Sequence, residues 1–297
     1  MPVLFVLIWS TGFVVARFGM PHAPPLSFLA WRYLLSVLAF GIWIAWARPP
    51  WPTGRGQWLH LAVTGVFIHA GYLGCVWAAI KAGAPAGTVA LMVGLQPVLT
   101  AIWVTYSGHE ARLSRLQWLG LLLGFAGLAM VVWRKLGLGQ LNPYTIGLAL
   151  AALAAITIGS LYQKRWVKPC DVRTANTVQL AAAFCVTVPF ALLEGETVRL
   201  HPELIGAMAW SVLVLTLGGS SMLYLMLQRG AATRVTSLMY LVPPCTAVMA
   251  WWLFGESMTP LAMLGLVLCA TGVALVVRTA PVPLAPGVNP NRPGAGS

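Results

Sequence analysis

Apolar stretches of roughly twenty residues follow one another along the whole chain, each long enough as a helix to cross the ~30 Å hydrocarbon core of a bilayer. The connections between them are short and carry turn chemistry, as in His22-Ala23-Pro24-Pro25, Arg48-Pro49-Pro50 and Asn142-Pro143. Hydrophobic residues make up 59 % of the chain and charged residues 8 %, with a mean hydropathy of +0.82. No soluble domain can bury that much apolar surface. A β-barrel would instead alternate polar and apolar residues in segments of about ten. The expectation is an all-α membrane protein with spans at 2–18, 26–46, 57–80, 86–106, 115–133, 145–163, 174–193, 204–227, 233–254 and 260–278.

The formal net charge of +12 invites a nucleic-acid reading, but the basic residues sit singly or in pairs between apolar runs, not along one solvated face. Nucleic acid is therefore not an expected partner. The charges sort by side instead. With the amino terminus in the cytoplasm, the inner connections hold Arg48, Arg55, Arg112, Arg115, Lys164, Arg165, Lys168, Arg173, Arg229, Arg234, Arg278 and Arg292. The outer ones hold only Arg17, Lys81, Arg134, Lys135 and Arg199. The positive-inside rule then places both termini in the cytoplasm, with Glu194, Glu196, Glu203 and Glu256 outside. No basic stretch precedes the first apolar run, so it does not read as a secretory signal. Residues 279–297 are rich in Pro and Gly and read as a disordered cytoplasmic tail. Cys75, Cys170, Cys185, Cys245 and Cys269 form no C-x-x-C pair and read as buried free thiols, with neither a disulfide nor a metal framework.

The chain is one unit written twice. A shift of 147 positions pairs Gly12 with Gly159, Arg32 with Gln179, Gly71 with Gly218, Trp77 with Tyr224, Leu91-Met92 with Leu238-Met239, and Pro97 with Pro244. The expected units are residues 1–140 and 141–278, five spans each. An odd number of spans turns the second unit over in the membrane, so the two should form inverted repeats about an axis in the membrane plane. Such duplication is a signature of transporters.

The sequence resembles the drug/metabolite transporter superfamily, with two EamA-type units. The resemblance is carried by Trp9-Ser10-Thr11-Gly12-Phe13, Phe28-Leu29-Ala30-Trp31-Arg32, the proline-bearing segments at Pro97 and Pro243-Pro244, and Gly255-Glu256. Within the superfamily it is most similar to the YddG-type exporters of aromatic and other neutral amino acids. The resemblance implies a basket of ten helices in the bacterial inner membrane. In it the first, third, fourth, sixth, eighth and ninth spans line a central cavity, and the fifth and tenth lie at the periphery.

Ionisable groups within spans mark candidate sites, because each is costly there. Arg32 reads either as a ligand for a substrate carboxylate or as a structural residue bonded to neighbouring helix ends. His69 and Tyr72 share a helical face, with Trp77 beyond them, and offer donors and acceptors without fixed charge. A histidine satisfied within the bundle is the alternative. Gln96 accompanies Pro97, and Pro97, Pro243 and Pro244 interrupt two spans at matching places, as hinges or as packing kinks. Trp9, Ser10, Met92, Ser160, Gln163, Tyr224, Met239 and Tyr240 complete the candidate cavity set, aromatics and methionines making an adaptable wall. Trp43, Trp46, Trp51, Trp58, Trp118, Trp133, Trp166 and Trp210 fall near span ends and read as the interfacial belt. Gly120, Gly124 and Gly127, matched by Gly265, Cys269 and Gly272, allow close helix approach within a monomer or between two.

None of the six acids falls deep in a span, which disfavours exchange of protons for a cationic drug. Arg32 alone is thin support for a phosphate ester carrier. A neutral, amphipathic small molecule fits what remains: aromatic and other neutral amino acids, exported by alternating access. Another metabolite or drug, a passive channel, or an intramembrane enzyme built on a pair such as Ser160 and His69 are the rival readings. No P-loop is present and no cofactor is expected. The lipid bilayer is the other expected partner, and a monomer satisfies the sequence.

Overall fold

The computed structural model describes residues 2–107, 114–136, 142–230, 235, 238–255 and 259–279, and all regular structure among them is helical. In order these are α1 (Pro2–Gly19), α2 (Pro25–Ala47), α3 (Arg55–Lys81), α4 (Ala86–Val93), α5 (Gln96–Ser107), α6 (Arg115–Leu136), α7 (Pro143–Trp166), α8 (Val172–Ala191), α9 (Pro202–Arg229), a 3₁₀ turn (Leu238–Leu241), α10 (Val242–Phe254) and α11 (Pro260–Thr279). Six of them, α1, α2, α3, α7, α8 and α9, are long and apolar enough to cross a membrane. The tail after Thr279, Glu256 and the side chain of Trp133 lie outside the described residues.

The helices start and stop where the sequence supplies local chemistry. Asn142 and Thr145 close a reciprocal capping box at α7, each side chain accepting from the other's backbone amide at 2.9 and 3.2 Å. Asp171 caps α8, accepting from the Arg173 amide at 2.9 Å. The Arg173 guanidinium grips the same carboxylate at 2.8 Å and holds its pKa below the usual carboxylate range. Gly255 ends α10 in the left-handed region at φ 64°, where a Cβ would be strained. The predicted spans at 86–106 and 233–254 are each broken. Span four divides at Gly94-Leu95, and span nine opens with a 3₁₀ turn before Val242. Pro97 and Pro243 then sit in the first turn of the helix that follows, where a missing N–H costs nothing.

Two longer irregularities lie inside unbroken helices. The i→i+5 bonding of a π-helix runs through Val66–Leu73 in α3 and Ser211–Ser220 in α9. The 147-residue shift carries the first segment onto 213–220, so both units deform at the same place. The break after Gly94 likewise maps onto Leu241.

Small residues set the closest approaches. A Cβ on Gly120 would stand 2.7 Å from the Gly272 carbonyl oxygen, and one on Gly127 would overlap the Gly265 carbonyl, so α6 and α11 pack backbone to backbone within the monomer. The Cys269 thiol points at the Gly124 carbonyl across the same seam, at 3.5 Å. Of the five free thiols Cys269 is buried, whereas Cys185 is exposed, contrary to the buried state expected. Large apolar side chains such as Ile42, Trp103, Leu122 and Trp252 cover the outside, as a lipid-facing surface requires. Trp43, Trp46, Trp51, Trp58, Trp166 and Trp210 are exposed and Trp118 is half-buried.

At one end of the bundle the 192–201 connection is fastened to the start of α2. Glu194 accepts from the amides of Leu26 and Ser27 at 2.9 and 2.7 Å and from the Ser27 hydroxyl at 2.8 Å. A carboxylate there satisfies amides the helix cannot and complements its dipole. Lys81 joins the same end, 2.6 Å from Glu196.

The tightest approach predicts a measurable cost. A Cβ on Gly65 of α3 would collide with the Gln179 backbone of α8, whereas one on Gly41 meets nothing. Gly65→Ala should destabilise the protein by ~1–3 kcal/mol, the range for overpacking. Gly41→Ala should leave stability unchanged. Thermal unfolding followed by tryptophan fluorescence checks this, and equal midpoints for the two variants would contradict the packing.

Candidate functional site

A narrow cavity of about 30 Å³ lies between α1, α2, α3 and α9, and the non-atom space around it, open solvent at the mouth included, is about 430 Å³. Trp9, Gly12 and Phe13 of α1, Arg32 of α2, Ile68, His69, Tyr72, Leu73, Val76 and Trp77 of α3, and Leu215 and Ser220 of α9 line it. The walls are mainly apolar, and Trp9, Phe13, Tyr72 and Trp77 supply their aromatic part. The Trp9 and Tyr72 rings lie 6° from parallel with centroids 6.2 Å apart. Trp77 stacks on Phe28 at 4.5 Å.

Arg32 is 4 % exposed. Its Nε donates to the Thr216 hydroxyl at 3.1 Å, and that hydroxyl donates to the Ser211 carbonyl at 2.8 Å, inside the π segment of α9. The charged neighbours of a buried guanidinium are ordinarily carboxylates. Here the ionisable groups beside it are the phenols of Tyr33 and Tyr72 and the imidazole of His69, with no carboxylate among the described residues around it. Tyr33 turns the other way along α2 and donates to the His69 carbonyl at 2.7 Å, satisfying a backbone acceptor of the π segment in α3. The His69 ring lies beside the Gln179 side chain of α8.

These pairs are reciprocal. The shift of 147 that carries Arg32 to Gln179 also carries His69 to Thr216. Arg32 reaches from the first unit to Thr216 in the second, and Gln179 reaches from the second to His69 in the first.

The predicted site residues divide into those that line the cavity and those that do not. Trp9, Arg32, His69, Tyr72 and Trp77 line it together. Gln96, Ser160 and Gln163 form a separate buried row against α8. Gln96 donates to Ser160 at 3.2 Å, and Gln163 accepts from Gln179 at 3.4 Å. Gln96 Oε1 and Gln163 Nε2 make no hydrogen bond among the described residues. Ser10 faces α10, donating to the carbonyls of Val6 and Val242 at 2.6 and 3.3 Å. Met92 and Met239 belong to the apolar core, and Tyr240 lies against Gly124 and donates to the Leu121 carbonyl at 3.3 Å. Tyr224, the counterpart of Trp77, sits in a second cluster with Leu61, Val167, Ala175 and Val178, its hydroxyl 3.0 Å from the Cys170 sulfur. Pro97, Pro243 and Pro244 flank helix starts and do not line the cavity.

The resemblance implied walls from spans four, six and nine as well. The lining found comes from spans one, two, three and eight, with α2 contributing its one charge. Sequence reading missed Thr216 and Gln179 as partners of Arg32 and His69. The signal was in the repeat itself, because the shift that pairs Arg32 with Gln179 pairs His69 with Thr216.

Known proteins point the same way. The family model for the EamA-like transporter family matches residues 1–133 and again 144–278. A "Probable amino-acid metabolite efflux pump" of Salmonella typhimurium is 28 % identical over 284 residues, covering 92 % of each chain. The "Uncharacterized inner membrane transporter YedA" of Escherichia coli is 28 % identical over 276 residues, covering 91 % of this chain and 87 % of the other. A solved crystal structure superimposes with a TM-score of 0.75 at 19 % identity, covering 93 % and 95 % of the two chains. With both of its halves matched, an all-helical body and an aromatic cavity that buries one cation, this chain belongs to the EamA-like transporter family.

Proposed function

We propose that the protein exports aromatic and other neutral amino acids across the bacterial inner membrane by alternating access, and that the cavity around Arg32 receives them. The observation that carries this reading is a buried guanidinium within the bundle whose described ionisable neighbours are two phenols and an imidazole, with no carboxylate. A charge held inside a membrane without a carboxylate is costly. A substrate carboxylate entering the cavity supplies the missing counterion. Trp9, Tyr72, Trp77 and Phe13 offer the apolar side chain an aromatic wall, and His69 and the phenols supply neutral polar groups for the ammonium. The name carried by the Salmonella relative agrees with this substrate class.

The architecture fits two inverted units of five spans with both termini cytoplasmic. Supporting it are the matched π segments, the matched breaks near Gly94 and Leu241, the reciprocal pairs, and the excess of basic residues on one side. Gln96, Ser160 and Gln163 serve as a second polar station on the path. Ser10, Met92, Tyr224, Met239 and Tyr240 shape its surroundings, and Pro97, Pro243 and Pro244 act as hinges.

Uptake of labelled phenylalanine, tryptophan, methionine and threonine into proteoliposomes, with and without a pH gradient, tests the substrate class. Saturable uptake is expected. Its absence in folded protein overturns the amino acid reading and leaves the family assignment standing. Arg32→Gln installs the residue that the second unit carries at position 179. It should raise the KM for these amino acids by roughly 10- to 100-fold, matching ~1.5–3 kcal/mol for a hydrogen bond to a charged group. An unchanged KM would detach Arg32 from the substrate.

Alternating access has its own test. Gln57 of α3 clamps the connection before α8, donating to the Lys168 carbonyl at 2.8 Å and accepting from its amide at 3.1 Å. A disulfide between Gln57→Cys and Lys168→Cys, in a Cys170→Ser background, should arrest transport until it is reduced. Full transport with the bridge formed would contradict the mechanism.

A further inference from the structure

The turn after α1 meets the start of α9 through a cluster that the transport reading does not use. His22 Nε2 lies 2.8 Å from Glu203 Oε2, and His201 Nδ1 lies 3.8 Å from the same oxygen. One donor atom from each of the three residues falls within 4.8 Å of the others. The two imidazoles stack face to face with centroids 4.2 Å apart and planes 12° from parallel. The backbone is held in register beside them, since the Arg199 amide donates to the His22 carbonyl at 2.8 Å.

We propose that His22, His201 and Glu203 form a binding site for a borderline divalent transition metal, of which Zn²⁺ is the type. Two imidazole nitrogens and one carboxylate oxygen are a ligand set such ions favour, and a fourth, open position falls to solvent water. Bonds of ~2.0–2.1 Å arranged tetrahedrally separate donor atoms by ~3.3 Å. The two histidine–carboxylate separations, 2.8 and 3.8 Å, straddle that value and need to adjust by about half an ångström, and the stacked imidazoles must rotate so that the in-plane lone pair of each nitrogen points at the ion. The side chains of His201 and Glu203 are about half exposed, at 48 % and 49 %, which gives the ion a route in from water. Binding replaces the 2.8 Å His22–Glu203 bond with two metal bonds and displaces the 3.3 Å bond from the Glu203 amide to His201 Nδ1, leaving that amide to solvent.

The site is not a by-product of the duplication. At the matching junction on the other unit, the 147-residue shift places Pro169, Gly54 and Gly56 where His22, His201 and Glu203 stand. The ligands therefore belong to one end of the molecule, where they would join segments 181 residues apart, one from each unit.

Titration calorimetry with Zn²⁺ alone, on the full-length chain without a histidine tag in lipid nanodiscs, tests the proposal. Saturable binding of about one ion per chain is expected. His22→Ala and Glu203→Gln should each weaken it by at least ~10-fold, the lower end of what losing even an outer-shell partner of a metal costs. His60→Ala, which alters a histidine bonded to Tyr162 elsewhere, should bind like the wild type. If alanine disturbs the turn, His22→Cys retains a ligand and should shift preference from Zn²⁺ toward Cd²⁺. Absence of saturable heat up to millimolar Zn²⁺ overturns the site, as does undiminished binding in a His22→Ala/Glu203→Gln double variant.

Discussion

Hydrocarbon offers a backbone no hydrogen-bonding partner, so every departure from the α-helix within a bundle must be answered by another part of the protein. The departures here are concentrated in α3 and α9, and each is answered by a side chain. The Tyr33 hydroxyl takes the His69 carbonyl, and the Thr216 hydroxyl takes the Ser211 carbonyl and receives Arg32 in turn. The cavity lies beside these two irregular stretches because that is where polar groups can be afforded inside the membrane. Everything that distinguishes the site from ordinary packing, the buried charge, the imidazole and the phenols, is tied to them.

Much of this was legible from residues alone. Six of the ten apolar runs coincide to within a few residues with helices long and apolar enough to cross a membrane, because length and hydropathy are set by bilayer thickness. The interruption of the fourth and ninth spans was readable from Pro97 and Pro244. The structural break falls one turn earlier than the prolines because proline is tolerated at a helix start and not in its interior. Five of the candidate side chains share one cavity, and all five lie on the first three spans. The π segments were invisible. Val66–Leu73 and Ser211–Ser220 contain no proline, and their bonding pattern depends on partners supplied by α2 and α8. Tyr224 and Tyr240 were indistinguishable by type from Tyr72, since an aromatic on a helix face looks the same whether it fills a core or borders an opening.

The two units have diverged at the positions where function would separate them. Arg32 and Gln179 occupy equivalent places, as do His69 and Thr216, so one pair carries a charge and the other a ring. Trp77 borders the cavity, while Tyr224 is packed into a small cluster with Ala175, the counterpart of Phe28. A duplicated backbone thus supplies one open chamber and one filled chamber. That asymmetry is chemical and not architectural, because the helices around both deform at the same points.

Adjacent residues of α2 hold opposite partners. Arg32 grips Thr216 in the second unit, and Tyr33 grips the backbone of His69 in the first. Neither bond can be stretched by turning α2 about its axis without disturbing the other. The helix therefore resembles a crank shared by two bearings: on the proposed reading, a ligand drawn to the guanidinium would also act on the backbone that carries the imidazole. Occupancy of the chamber would then be coupled to the set of its opposite wall.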